Sequence, residues 1–165
     1  MAIKILVMGL PGAGKTYFSE HLKAYLEQHG DKLKVNPASI NLEIIPDDTF
    51  FNVTVDWFNA DEIRKRFNDW DFSREGRIRQ SLRMFEFALK CHGDYAICDF
   101  VAPLPEMREN FRADWTIWMD TIDSGRFEDT NKAFVPPDKY DFRITEQNAE
   151  KWAAYVGQKI LEGKK

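Results

Sequence analysis

The 165 residues contain only two cysteines, Cys91 and Cys98, too few for a disulfide framework or a cysteine-rich zinc site. No apolar run approaches the roughly 20 residues that a membrane helix needs, and no stretch reads as a secretory signal. A reducing, cytoplasmic setting without a membrane partner is the expectation. A basic excess is missing as well. The formal net charge is −4, which argues against a nucleic-acid partner, since such a domain carries a basic face. His21, His29 and His92 show no ligand-like spacing with one another or with the cysteines, so they read as structural or surface residues. Internal repeats and low-complexity tracts are absent too.

What remains is the composition of an ordinary globular chain, 44% hydrophobic and 30% charged. Its length is most simply one domain, residues 1–165, able to bury roughly 70% of the surface of the unfolded chain. Aromatics reach 14%, with thirteen Phe. Most are expected in the core, with base stacking as the competing use.

Ile3 to Met8 is a short β-branched and apolar run ending at a glycine, the pattern of a buried parallel strand. Phe18, Leu22, Tyr25 and Leu26 then recur at helical spacing, and Gly30 supplies a stop. Residues 31–52, with Pro37 and Pro46, read as an insertion. Val53–Phe58 reads as the second strand, Asp61–Phe67 as a short helix, and Ser73–Cys91 as a longer one with Ile78, Leu82, Phe85 and Leu89 facing inward. Further strands are expected at 95–99, 115–120 and 141–144, with a helix at 106–112. Residues 125–139, polar and proline-bearing, read as a mobile lid. A closing helix is expected to be capped by Thr145, with Ala149, Trp152, Ala153, Val156 and Ile160 inward. Alternating strands and helices imply an α/β fold with a parallel sheet; three layers around a five-stranded parallel sheet in the order 2-3-1-4-5 are the further expectation.

Gly9-Leu10-Pro11-Gly12-Ala13-Gly14-Lys15-Thr16 is a complete G-x-x-x-x-G-K-[ST] phosphate loop. It lies between a strand and a helix, the context that separates it from a chance glycine-rich turn. Glycines let successive N–H groups curl toward a phosphate, and the helix start adds its positive dipole end. Lys15 would reach the β- and γ-phosphates, and Thr16 would coordinate Mg²⁺. Gly9, Gly12, Ala13, Gly14, Lys15, Thr16 and Tyr17 are thus the expected ATP contacts.

Asp61 follows the second strand on the side where parallel sheets bind ligands. It orients or deprotonates an acceptor hydroxyl, joins the magnesium shell, or caps the short helix. Between Arg64 and Arg83 the chain carries seven cations against three acids. Such a run is either a solvated helix face or a site for an anionic small molecule. Asp99 closes an apolar strand in the manner of an acid holding magnesium through water, or is an ordinary strand-end carboxylate. Arg126, Asn131 and Lys132 lie in the lid, where a cation would close over the transferring group.

In order, these elements resemble adenylylsulfate kinases, over residues 2–37 and 53–135. Asn59-Ala60-Asp61-Glu62-Ile63-Arg64 is similar to that family's Asp-Gly-Asp-Asn-x-Arg turn. Phe72-Ser73-Arg74-Glu75-Gly76-Arg77 matches its Phe-Ser-x3-Arg helix start, and Phe100-Val101-Ala102-Pro103 its Phe-Ile-Ser-Pro strand end. The resemblance implies transfer of the ATP γ-phosphate to the 3′-hydroxyl of adenosine 5′-phosphosulfate, with Asp61 catalytic. It further implies substrate contacts at Arg64, Phe72, Arg77, Gln80, Phe100, Val101, Lys132 and Phe134. The sequence departs from the family at Asn59, where an acid stands, at Ala60 and Ala102, in the lid, and at Asp99, where a small residue is usual. A small anionic partner is expected, and a homodimer is admitted. A nucleoside, nucleotide or other small-molecule kinase, and a regulatory ATPase or switch, stay open beside this reading.

Overall fold

A computed structural model describes residues 1–31 and 52–163. Five parallel strands form one sheet: β1 (Ile3–Met8), β2 (Val55–Asn59), β3 (Tyr95–Asp99), β4 (Trp115–Met119) and β5 (Phe142–Ile144). Their order is β2-β3-β1-β4-β5, as expected. The helices are α1 (Lys15–His29), α2 (Ala60–Phe67), α3 (Arg74–Lys90), α4 (Pro105–Phe111), α5 (Glu128–Ala133) and α6 (Ala149–Glu162). Because side chains alternate along a strand, β1 feeds two cores. Ile5 and Val7 join Phe18 and Leu22 of α1 and Val156 and Ile160 of α6. Leu6 and Met8 join Ile63 of α2, Met84 of α3 and Phe111 of α4 on the other face.

Register sets the site. Val7 and Asp99 are partners across β1 and β3, and Asn59 and Asp99 are partners across β2 and β3. The carboxyl ends of β2 and β3 therefore lie side by side next to the glycine loop that follows β1.

Three expectations need correction. β2 runs two residues later than 53–58 and ends on Asn59; Val53 is buried but precedes the ladder. The buried face of α3 is Gly76, Arg77, Gln80, Ser81, Met84 and Ala88, whereas Leu82 is 49% and Leu89 41% exposed. The helix has apolar residues on both faces, so periodicity alone could not say which one turns inward. Asn148, not Thr145, caps α6, accepting from Lys151 N at 3.3 Å. Residues 125–139 hold the helix α5 and are anchored at both ends. Asn131 exchanges hydrogen bonds with Gly125 at 2.7 and 2.9 Å, and Val135 N donates to Pro103 O at 2.8 Å. Of the expected insertion, Asp31 and Asn52 form an antiparallel bridge; residues 32–51 lie outside the described residues.

Candidate active site

The loop after β1 is shaped by glycines at positive φ. A Cβ on Gly9, at φ 152°, would fall 2.5 Å from Met119 O, so the loop can pass β4 only without a side chain there. Gly14, at φ 92°, is the N-cap of α1 and turns the chain into the helix. Ala13 N donates to Leu10 O at 3.0 Å, and Thr121 Oγ1 braces the loop by donating to Ala13 O at 2.8 Å.

Lys15 Nζ donates to Leu10 O at 3.0 Å, inside the curl of the loop. Burial pushes its ammonium down to about 8, opposed by the charges of Asp99 and Asp61. Asp99 is 2% exposed. Burial pushes its carboxyl up to about 6, opposed by a hydrogen bond from Trp57, the Lys15 charge and a hydrogen bond from Asn59. Trp57 Nε1 donates to Asp99 Oδ2 at 2.6 Å, and Asn59 Nδ2 to Oδ1 at 2.9 Å.

Asn59 joins the parts. The same Nδ2 lies 3.2 Å from Thr16 Oγ1, while its Oδ1 accepts from Asp61 N at 3.1 Å and Glu62 N at 3.2 Å. Asn59 is therefore the cap of α2, a role open to Asp61 in the sequence; the Asp61 carboxylate is exposed beyond it. Neither Asn59 nor Trp57 was among the expected site residues. Strand parity offered a signal: Trp57 and Asn59 stand two apart on β2, hence on one face of the sheet, and Asn59 and Asp99 end adjacent strands.

A fit for magnesium rests on the donor set. Thr16 Oγ1 and the Asp99 carboxylate are hard oxygen donors held together through one amide. Each Asp99 oxygen accepts one N–H in the fold, and a carboxylate oxygen has capacity for a second partner. Among the described residues no three His, Cys, Asp or Glu side chains gather into a metal cage. A Mg²⁺ ion normally takes one or two protein oxygens and completes its shell with water and phosphate, so the residues present suit it.

On the other side of α2 the arginines divide. Arg79 and Arg83 are consumed by acids: Arg79 Nε and Nη2 reach Asp69 at 2.9 and 3.1 Å, and Arg83 Nη2 reaches it at 3.0 Å. These bonds hold the Asp69 carboxyl well below the usual range. Arg74 pairs with Glu106. Arg64 and Arg77 instead bracket the half-exposed ring of Phe72, their guanidinium carbons 4.4 and 5.6 Å from its centroid. Arg64 Nη1 donates to Asp69 O at 3.0 Å and Asp71 O at 3.2 Å. Arg77 Nε donates to Phe72 O at 2.8 Å and Nη2 to Thr130 Oγ1 at 3.2 Å, with Asp129 at 3.6 Å.

The remaining expected contacts scatter. Gln80 is buried and pins α3 to α2 through Ala60 O at 3.1 Å. Phe100 is in the core, edge-on to Phe111 at 5.5 Å. Val101 is half-buried just after β3, and Ala102 takes φ 47°. Arg126 and Lys132 are exposed, and Phe134 is half-buried under Arg108. A Cβ on Gly125 would fall 2.9 Å from Pro11 O, so the lid starts beside the phosphate loop. A cavity of about 170 Å³ lies beside that loop as well, lined by Tyr17, Gly14 and the 146–149 turn. That turn was not singled out in the sequence.

No protein-family model matches the sequence, and no curated protein matches it significantly. Solved structures do. The APS kinase CysC of Mycobacterium tuberculosis, solved in complex with AMPPNP and APS, superposes with a TM-score of 0.68 at 17% identity, over 96% of this chain and 97% of that one. The protein APE1195 gives 0.68 at 18% identity, over 98% and 95%. An unliganded sugar kinase from Janibacter sp. gives 0.55 at 12% identity, again over 98% and 95%. The fold is that of the P-loop kinases. No helix among the described residues is long and apolar enough to cross a membrane.

Proposed function

We propose that this chain is an ATP-dependent kinase that moves the γ-phosphoryl group to a hydroxyl of a small anionic acceptor, adenosine 5′-phosphosulfate being the first candidate. The observation that carries the reading is the meeting of Thr16, Asp99 and the Asp61 backbone N–H on the Asn59 amide, with the Lys15 ammonium near enough to feel the charges of Asp99 and Asp61, and Phe72 and two arginines one helix away. The loop amides and Lys15 hold the β- and γ-phosphates, and Tyr17 with the 146–149 turn offers a place for the adenine. Thr16 and Asp99 would hold Mg²⁺, which would supply charge neutralisation at the transferring phosphoryl group. Asp61 orients the acceptor hydroxyl and takes its proton as the new O–P bond forms and ADP leaves. Phe72 stacks against the acceptor. Arg126, Lys132 and Phe134 close over it from the lid, and Val101 lines the end of β3.

A second reading has its own support. Arg64 and Arg77 spend donors on the carbonyls of Asp69, Asp71 and Phe72. They grip the loop under Phe72 at least as much as they offer charge outward, which suits a nucleoside or other weakly anionic hydroxyl compound.

The test is ADP release from Mg-ATP with adenylylsulfate, with a nucleoside and nucleotide panel, and without acceptor. Adenylylsulfate-dependent release supports the first reading, and release only with the panel supports the second. Hydrolysis indifferent to acceptor would favour a regulatory ATPase. Asp61→Asn should cut turnover by about 10²-fold or more at unchanged ATP affinity, and full activity in that variant would remove Asp61 from the mechanism.

A further inference from the structure

Two donors on one strand grip the two oxygens of one acid. Val55, Trp57 and Asn59 alternate with Asp56 and Phe58 along β2, so Trp57 and Asn59 share the face of the sheet that α1 covers. Trp57 is the register partner of Ile97, and Asn59 of Asp99. The indole therefore reaches two residues along β3 to put Nε1 2.6 Å from Asp99 Oδ2, while Asn59 Nδ2 stands 2.9 Å from Oδ1. Asp99 is 2% exposed, and a carboxylate so far from water is costly without such donors. With Asn59 alone the carboxylate could still turn about its Cβ–Cγ bond. The second bond, from an N–H that can only donate, fixes its plane. Oδ1 is thereby left at the amide that also meets the Thr16 hydroxyl, at 3.2 Å.

We propose that Trp57 is a positioning residue for magnesium binding, its indole N–H holding the Asp99 carboxylate in the orientation that lets it share a cation with Thr16. The proposal rests on the reading of Thr16 and Asp99 as the magnesium ligands. Trp57 acts through Asp99 and is assigned no contact with nucleotide or metal. Hydrogen-bond partners of ligating groups are typically worth about 10–100-fold in metal affinity. The ring of Trp57 also packs against the core under α1, so the N–H and the bulk have to be told apart.

Trp57→Phe and Trp57→His separate them. Phenylalanine keeps a six-membered ring and has no donor. Histidine keeps a five-membered ring whose Nε2–H stands where the indole N–H stood, and it gives up more apolar surface. Calorimetric titration of the full chain with AMPPNP, from chelator up to millimolar free Mg²⁺, reads the outcome without turnover. Wild type should bind AMPPNP more tightly as Mg²⁺ rises. Trp57→Phe should need about tenfold more Mg²⁺ for half of that gain, with AMPPNP affinity in chelator unchanged. Trp57→His should stay closer to wild type than to Trp57→Phe, although it packs worse. In an Asp99→Asn background Trp57→Phe should cause no further change, because the carboxylate it acts through is gone. A wild-type Mg²⁺ requirement in Trp57→Phe would overturn the proposal and leave the metal ligands standing. A greater requirement in Trp57→His than in Trp57→Phe would reduce Trp57 to packing. A Trp57→Phe effect that persisted beside Asp99→Asn would show that it does not act through Asp99. AMPPNP binding indifferent to Mg²⁺ in wild type would overturn the reading of Thr16 and Asp99 as ligands, and the proposal with it.

Discussion

Asn59 and Asp99 are register partners at the ends of β2 and β3, and the Asn59 amide spans from the Asp99 carboxylate at 2.9 Å to the Thr16 hydroxyl at 3.2 Å. In the pattern this sequence resembles, the acid stands at the β2 position and a small residue at the β3 position. Here the acid is one strand over and an amide holds its former place. One carboxylate is thereby kept beside the Thr16 hydroxyl. Asn59→Asp would set two carboxylates face to face and remove the donor that both Asp99 and Thr16 use. Without divalent ions that variant is expected to lose about 2–3 kcal/mol of stability, read as a lower urea midpoint. Millimolar Mg²⁺ should narrow the gap, since facing carboxylates form a cation site and binding to the folded state stabilises it. An unchanged midpoint in chelator would show that the amide bridge contributes nothing.

Buried Asp99 and part-buried Lys15 predict a trough in the stability of the nucleotide-free protein. Asp99 has its carboxyl raised to about 6 from 3.8, so the folded state holds a proton that the unfolded state has released. Its contribution is complete below about pH 4 and is lost as pH rises through 6. Lys15 has its ammonium lowered to about 8 from 10.5, so the folded state sheds a proton first and stability recovers above pH 8. Between those values both groups are charged and largely withdrawn from water. Urea denaturation from pH 4.5 to 9.5 should show the dip. Asp99→Asn should remove its acid limb and Lys15→Met its alkaline limb. Parallel curves for wild type and both variants would contradict the assignment.

The parts of this molecule written in contiguous runs were legible in the sequence. β1, the phosphate loop and α1 follow from an apolar β-branched stretch, a fixed glycine spacing and a helical period. The α/β class with its parallel sheet followed from the alternation of elements, and Asp99 from its place at the end of an apolar strand. Partnerships across the chain were not legible. Trp57 and Asp99 are 42 residues apart, and nothing local in either says that the indole N–H will meet the carboxylate. α3 misled for a different reason. Its Ile78, Leu82, Phe85 and Leu89 stripe has the better apolar period, yet Gln80, Ser81 and Arg77 turn inward because the fold gives their polar atoms carbonyl and hydroxyl partners. Periodicity counts apolar residues and is blind to such partners.

The arginine run also looked different once folded. Asp69 receives both Arg79 and Arg83, so it locks α3 to the loop that leads to Phe72. Asp69→Ala should free two arginines and loosen that loop. The expected result is a melting temperature lower by about 3–8 °C. The KM for the acceptor should rise severalfold while ATP affinity stays unchanged, because the phosphate loop is not involved. Calorimetric melting, with nucleotide titration alongside, separates the two effects. If ATP affinity fell in step, the loop and the phosphate site would have to be one unit.

Gly76 gives the sharpest test of how that loop is seated. Glycine within a helix ordinarily weakens it, and alanine there is usually worth up to about 1 kcal/mol. At this position a Cβ would fall 2.2 Å from Asp71 O and 2.5 Å from Asp71 Cγ. Asp71 O is one of the carbonyls that hold Arg64 at 3.2 Å, and Asp71 Oδ1 accepts from Ser73 N at 2.9 Å where α3 begins. Relief of the clash must therefore move backbone that positions both Arg64 and Phe72. Overpacking of this kind costs about 1–3 kcal/mol, so Gly76→Ala should destabilise despite its better helix propensity. It should also raise the acceptor KM without altering ATP binding. Urea denaturation gives the sign directly. A more stable alanine variant would mean that Asp71 does not approach α3 this closely, and the bracketing of Phe72 by Arg64 and Arg77 would lose its support.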